Sequence, residues 1–171
     1  MRGTDAEQVN RFILEGRRIL REHYRTKQSA LGADGRNQLF PLTLPSLAQF
    51  RTTRRIIGQT TLQTGQAGKA APDSIGLAAD WRTSGQVWEI PYGTLLPRKV
   101  GGLLAAGRCI ASEGDAWEVT RVIPIAALTG QAAGAAATLA VRGGTTPDAL
   151  DPKEVQAVLR QKHIPYHLTD L

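Results

Sequence analysis

Arginine grips a carboxylate or phosphate through paired N–H donors, and the first-turn amides of a helix lack intrahelical partners and favour an anion. Both resources occur in this chain. The apolar run Leu103–Ala106 leads into Gly107-Arg108-Cys109, and a helix opens at Val122–Ala126 behind Arg121. A strand end and a helix N-terminus so ordered face one point, where an anion or a developing anion is stabilised. The bland alternative is a central strand followed by a packed helix, as in many α/β proteins. Arg51, Arg54 and Arg55 form a second cluster. It reads equally as an anion contact or as an exposed strand whose arginines resist edge pairing.

Other chemistries are excluded by spacing. His163 and His167 are four apart, but Pro165 breaks the helix that an HExxH zinc site needs and no Glu follows His163. No metal site is expected. Neither a Walker motif nor a G-x-S-x-G nucleophile turn is present, and no catalytic side chain is assigned. The single cysteine, Cys109, rules out an internal disulfide, fits a reducing compartment and reads as a buried, inert thiol.

The elements that must position these groups follow from breakers and periodicity. With 171 residues the chain has the size of one domain, and a low aromatic share of 5% leaves much of the packing to Ala and Gly. Thr4 and Glu7 have the form of a capping box, and apolar residues at helical spacing predict a helix over Asp5–Arg25. Its Arg17, Arg18, Arg21 and Arg25 read as a solvated basic face, with an anion-binding stripe as the alternative. Ser29–Pro45 is a connector rich in Gly and Pro. Strands are expected over Phe50–Leu62, Val87–Tyr92 and Leu103–Ala106, and loops over Gln63–Asp73 and Gly107–Thr120. A long helix starts near Pro124 and stops at Gly143-Gly144, with Gly130 and Gly134 allowing tight packing on the sheet. Asp151 caps a last helix to Lys162, with Val155, Val158 and Leu159 on one face. The alternation is that of a mixed α and β, or α/β, architecture.

The net charge of +6 suits an anionic cofactor or substrate, a nucleic acid, or merely a basic surface. Basic residues are not interleaved with exposed aromatics and no nucleic-acid module is recognisable, so a nucleic-acid-binding domain is the lowest alternative. Val122–Val141 has the length of a membrane span, but its Ala, Gly, Thr, Gln131 and Pro124 point to a buried helix of a soluble domain. The N-terminus shows no secretory signal, and a cytoplasmic location is expected.

The stretch IPYGTLLPRKVGGLLAAGRCIASEGDAWEVTRVIPIAALTGQAAGAAATLA, Ile90–Ala140, resembles the C-terminal signature of FAD-dependent oxidoreductases related to fumarate-reductase-type flavoproteins. FRTTRRIIGQTTL, Phe50–Leu62, resembles the RETRRIxGxYxL segment of that family, and the Arg-rich N-terminal helix resembles the one preceding it. The resemblance implies an FAD/NAD(P)-binding-like α/β fold. Residues 1–90 would be part of a substrate or cap domain, and residues 91–171 the flavin-contacting strand, loop and helix. It places Ala106, Gly107, Arg108 and Cys109 along the ribityl and flavin side of the cofactor, with the Cys109 thiol nearby. The amides of Ile123, Ile125 and Ala126 come near the pyrimidine edge, where reduced flavin carries negative charge. Arg121 and Arg54 become contacts to substrate or flavin.

Departures from the family pattern are as informative. Thr52 stands where the family has Glu, Asp80-Trp81-Arg82 where it often has D-x-H, and no histidine occurs among Glu113–Glu118. No two glycines have the G-x-G spacing of a dinucleotide-binding turn. The expectation is therefore a noncovalent FAD enzyme acting on a small-molecule substrate, whose adenosine half is gripped by an N-terminal portion or partner chain outside this sequence. A truncated or accessory subunit without activity is the alternative.

Overall fold

The computed structural model describes residues 2–171. It forms two compact units, Met1–Thr53 and Arg54–Leu171. The first is built on α1 (Ala6–Ala30) and the short α2 (Gly35–Gln38). The cap of α1 is Asp5, not Thr4. Asp5 Oδ1 accepts from the amides of Glu7 and Gln8 at 3.0 and 3.2 Å, while Gln8 Nε2 donates to Asp5 Oδ2 at 2.8 Å. Asp is the better cap, so the cap falls one residue along from Thr4, and the Asp5 N–H bonds to the Arg2 carbonyl instead of closing a capping box. The helix also continues past Arg25 to Ala30, because no Gly or Pro intervenes before Gly32. No residue of α1 is buried. Phe12 packs on Phe50 with ring centroids 5.1 Å apart, and Arg17 Nε donates to the Pro45 carbonyl at 2.9 Å.

The second unit holds β1 (Ser74–Ala79), β2 (Val87–Pro91), α3 (Gly114–Thr120), α4 (Ile123–Gly143) and α5 (Pro152–Gln161). The two strands pair antiparallel, with Leu77 opposite Glu89 and Ala78 opposite Trp88, and the register shifts between Ser74 and Leu77. Helices α4 and α5 cover β1. Ile75, Trp88, Ile90, Leu95, Val119 and Leu159 lie in the resulting core. The mixed α and β class is as expected, with a sheet of two strands. β2 falls where the sequence predicts it; β1 does not stand out there. Ser74, Ile75 and Gly76 are all buried, so the strand lacks the alternation that marks a half-buried one.

Two expected strands are corrected. Residues 50–62 form no regular strand but an extended path with isolated bridges at Gly58–Pro97 and Leu62–Ser112. Gly58 interrupts it by close approach: a Cβ there would lie 2.5 Å from Ala111 Cβ and 2.6 Å from the Thr60 carbonyl oxygen. Leu103–Ala106 is also not a strand. Its recorded backbone bond is Ala105 N–H to the Leu95 carbonyl at 2.9 Å, and Leu103 is 50% exposed. An apolar run needs a ladder beside it to become a strand. The expected loop Gly107–Thr120 contains a 3-10 turn at Gly107–Cys109 and the whole of α3.

Helix α4 has Pro124 in its first turn and ends on Gly144 at φ 61°, both as predicted. It is not buried all round. Ile125, Thr129, Ala132, Ala136 and Ala140 seat one face on the core, whereas a Cβ at Gly130 or Gly134 would meet nothing within 4 Å. Tight packing inside this chain therefore does not explain those glycines. By length and composition α4, with mean hydropathy 1.3, is apolar enough to cross a membrane; its buried face nonetheless belongs to the core of this unit. In α5 Asp151 as cap and Pro152 in the first turn are as predicted, and Glu154 adds the reciprocal bond of a capping box. Gln156 is buried there, its Nε2 donating to the Pro72 and Ser74 carbonyls at 2.9 and 3.0 Å, while Val158 is half-buried.

Candidate functional site

The turn Gly107–Cys109 and the start of α4 meet. Gly107 sits at φ 76°, a left-handed conformation that glycine adopts without strain. Its N–H donates to Thr129 Oγ1 at 2.9 Å, and that hydroxyl donates in turn to the Ile125 carbonyl at 2.8 Å. A Cβ on Gly107 would stand 3.5 Å from Ala126 Cβ. Trp117 Nε1 of α3 donates to the Arg108 carbonyl at 2.8 Å and braces the turn from the other side. The turn thus packs on α4 through Ala126 and Thr129, without the strand end expected to lead into it.

Individual residues differ in what they offer. Arg108 and Ile123 are exposed. Cys109 is exposed too, with Sγ 3.4 Å from the Ala106 carbonyl oxygen, which corrects the expectation of a buried thiol. The Ile125 side chain belongs to the core, and the Ala126 amide donates to the Val122 carbonyl at 3.0 Å. Of the three expected amides, those of Ile123 and Ile125 lie in the first turn, where helix geometry supplies no acceptor; Pro124 has no N–H. Arg121 caps α3, and its Nε and Nη2 both donate to Glu118 Oε2, at 2.8 and 2.5 Å. Arg54 is exposed and forms no ion pair among the described residues. Its neighbour Arg55 is held by Glu113 Oε2 at 2.7 Å.

Four groups escaped the sequence reading. Ser112, just beyond the turn, has a buried hydroxyl oxygen with no hydrogen-bond partner among the described residues. Arg82, where the family often has His, forks onto both carboxylate oxygens of Asp80 at 3.0 Å and reaches Asp115 Oδ1 at 3.1 Å. The Arg82 hydrogen bonds hold the Asp80 carboxyl below its ordinary range. Glu89, 3% exposed, accepts from the amides of Ala71 and Leu168 at 2.7 Å each and lies 2.9 Å from His167 Nδ1. Burial pushes its carboxyl up, but the two amides and the imidazole outweigh burial and hold it below the usual range. Tyr92 of the IPY motif donates to the Pro147 carbonyl at 2.8 Å, and burial, with the charge of Asp148, pushes its phenol up to about 12. No signal in a single sequence reveals these partners, which lie 18 to 79 residues apart for Tyr92 and Glu89.

The first-turn amides of Ile123 and Ile125, which have no intrahelical acceptor, and the exposed Arg108 are donors, a chemistry that suits an anionic or electron-accepting group better than a cation. A family model described as FAD dependent oxidoreductase matches residues 2–159. Searches of curated proteins and of solved structures returned no match. The match spans both compact units, and the chain accordingly belongs to the FAD dependent oxidoreductase family, with FAD as its cofactor.

Proposed function

We propose that this chain is the flavin-contacting, C-terminal part of a fumarate-reductase-like oxidoreductase that acts on a small-molecule substrate through noncovalent FAD. The observation that carries the reading is the packing of Gly107 on α4, against Ala126 of its first turn and hydrogen-bonded to Thr129 of its second. Ala106, Gly107, Arg108 and Cys109 would line the ribityl side of the cofactor, and the amides of Ile123 and Ile125 would face its pyrimidine edge, with Ala126 packed beneath the turn. A bound flavin supplies transfer of a hydride or an electron pair. The chain's own part is electrostatic. Preorganised amides at the positive end of α4 hold negative charge without reorganising, and Arg108 adds a fixed positive charge at the rim. Arg121 and Arg54 are proposed as substrate contacts; Arg54 has its guanidinium available, whereas Arg121 must exchange its bonds to Glu118.

In this reading residues 1–90 contribute to the substrate domain and residues 91–171 to the flavin side. The adenosine half is gripped elsewhere, since the chain has no G-x-G turn, and the assembly works in the cytoplasm. Co-expression with a strand–GxGxxG–helix portion should yield a complex with the visible absorption of bound flavin, while the chain alone retains FAD poorly. A purified complex without flavin absorbance contradicts the proposal, and tight one-to-one FAD binding by the chain alone contradicts the need for a second portion.

A further inference from the structure

The N-terminal unit carries a feature that the flavin reading leaves unused. On α1, Arg17, Arg21 and Arg25 follow one another at intervals of four, so three like charges share one helix face. The nearby carboxylates are engaged elsewhere: Glu15 and Glu22 both pair with Arg18, at 2.5 and 2.6 Å. Among the described residues none of the three arginines has an ion-pair partner. A solvated basic face accounts for such a stripe on a bare helix. This stripe, however, borders a cavity.

The three arginines, with Leu20, Tyr24 and Leu44, line a space of about 370 Å³. That space shares Leu20, Tyr24, Pro41 and Leu44 with a wider groove of about 830 Å³, whose far walls include Phe12, Phe40 and Leu42. The trough is thus basic at one end and mixed beyond it, with apolar Phe12, Phe40 and Leu42 beside Thr43, Ser46 and Gln49. Both volumes fall within the roughly 300–1,000 Å³ of small-molecule sites, which combine apolar walls with a few orienting polar groups. Arg17 is already positioned, its Nε bonded to the Pro45 carbonyl at 2.9 Å on the opposite rim. A planar guanidinium so held presents its remaining N–H groups to a carboxylate or phosphate.

We propose that this trough binds an amphipathic organic anion, with the acid group on Arg17, Arg21 and Arg25 and the apolar body along Phe12, Phe40 and Leu42. An anion there removes the repulsion between successive arginines, and an apolar tail covers side chains that are otherwise exposed, Phe12 at 45% and Leu42 at 91%. The site lies wholly within the Met1–Thr53 unit and stands independently of the flavin assignment.

Two dyes that share an apolar body test the pairing of charge with groove: the anion 1-anilinonaphthalene-8-sulfonate and neutral N-phenyl-1-naphthylamine. Fluorescence titration of the full chain should show one saturable site at which the anion binds at least about tenfold more tightly than the neutral dye. Arg21→Ala with Arg25→Ala should remove that preference and leave neutral-dye binding within about twofold, while Arg142→Ala changes neither. Ala has a higher helix propensity than Arg, and far-ultraviolet circular dichroism confirms that α1 persists; Arg21→Gln with Arg25→Gln serves as a second neutral pair. Equal affinity for the two dyes, no binding of either, or an anion preference that survives loss of the arginines would overturn the proposal.

Discussion

Glu89 shows how a charge is kept in a core. Its two carboxylate oxygens take the Ala71 and Leu168 amides and His167, so the ionised form is solvated by the protein itself. The carboxyl is held below its usual range, and a group whose folded pKa is depressed stabilises the fold above its unfolded pKa and loses that contribution as pH falls through the folded value. Glu89→Gln should therefore cost about 2 kcal/mol in urea denaturation near about pH 7, and the difference from wild type should shrink by about pH 3. A cost unchanged across that range would place the effect in packing, not charge. Nothing in the sequence predicts the network, because Glu89 sits among apolar residues and its partners come from distant segments. The glycine at 107, by contrast, was legible: it follows an apolar run and precedes Arg-Cys, and its left-handed φ explains the residue type.

At the scale of elements, helix ends are mostly legible in the sequence and strands mostly not, although the cap of α1 falls on Asp5 and not Thr4. Pro124, Gly144 and Asp151 mark helix ends by local chemistry, which a sequence displays directly. A strand is defined by what lies beside it, and Leu103–Ala106 has one neighbouring backbone bond recorded instead of a ladder. β1 was missed for the converse reason, since burial of consecutive residues erased its alternation. The junction of turn and helix rests on one side chain: Thr129, fully buried, receives the Gly107 N–H. Thr129→Val keeps the shape but strands that donor, and should lower stability by about 1–3 kcal/mol in chemical denaturation. Thr129→Ser should recover most of the loss; equal destabilisation by both replacements would deny the hydroxyl this part.

Across the whole molecule, burial is uneven. α1 has no buried residue, while β1, β2 and the inner face of α4 share the core. Local opening follows such differences, so amide exchange should be at least about a hundredfold faster along α1 than at Ile75, Ile90 and Ala132. Uniform protection would contradict that ranking. Membership of the FAD dependent oxidoreductase family accounts for the whole matched span, residues 2–159, and the flavin assignment makes a sharper demand on the second unit. Amide chemical-shift mapping of the chain with FMN, and separately with ADP, tests it most directly. FMN should perturb Gly107, Arg108, Cys109, Ile123 and Ile125, and ADP, which carries phosphates but no flavin ring, should leave them unmoved. Perturbations confined to other residues, or an equal response to ADP at these five, would contradict the assignment.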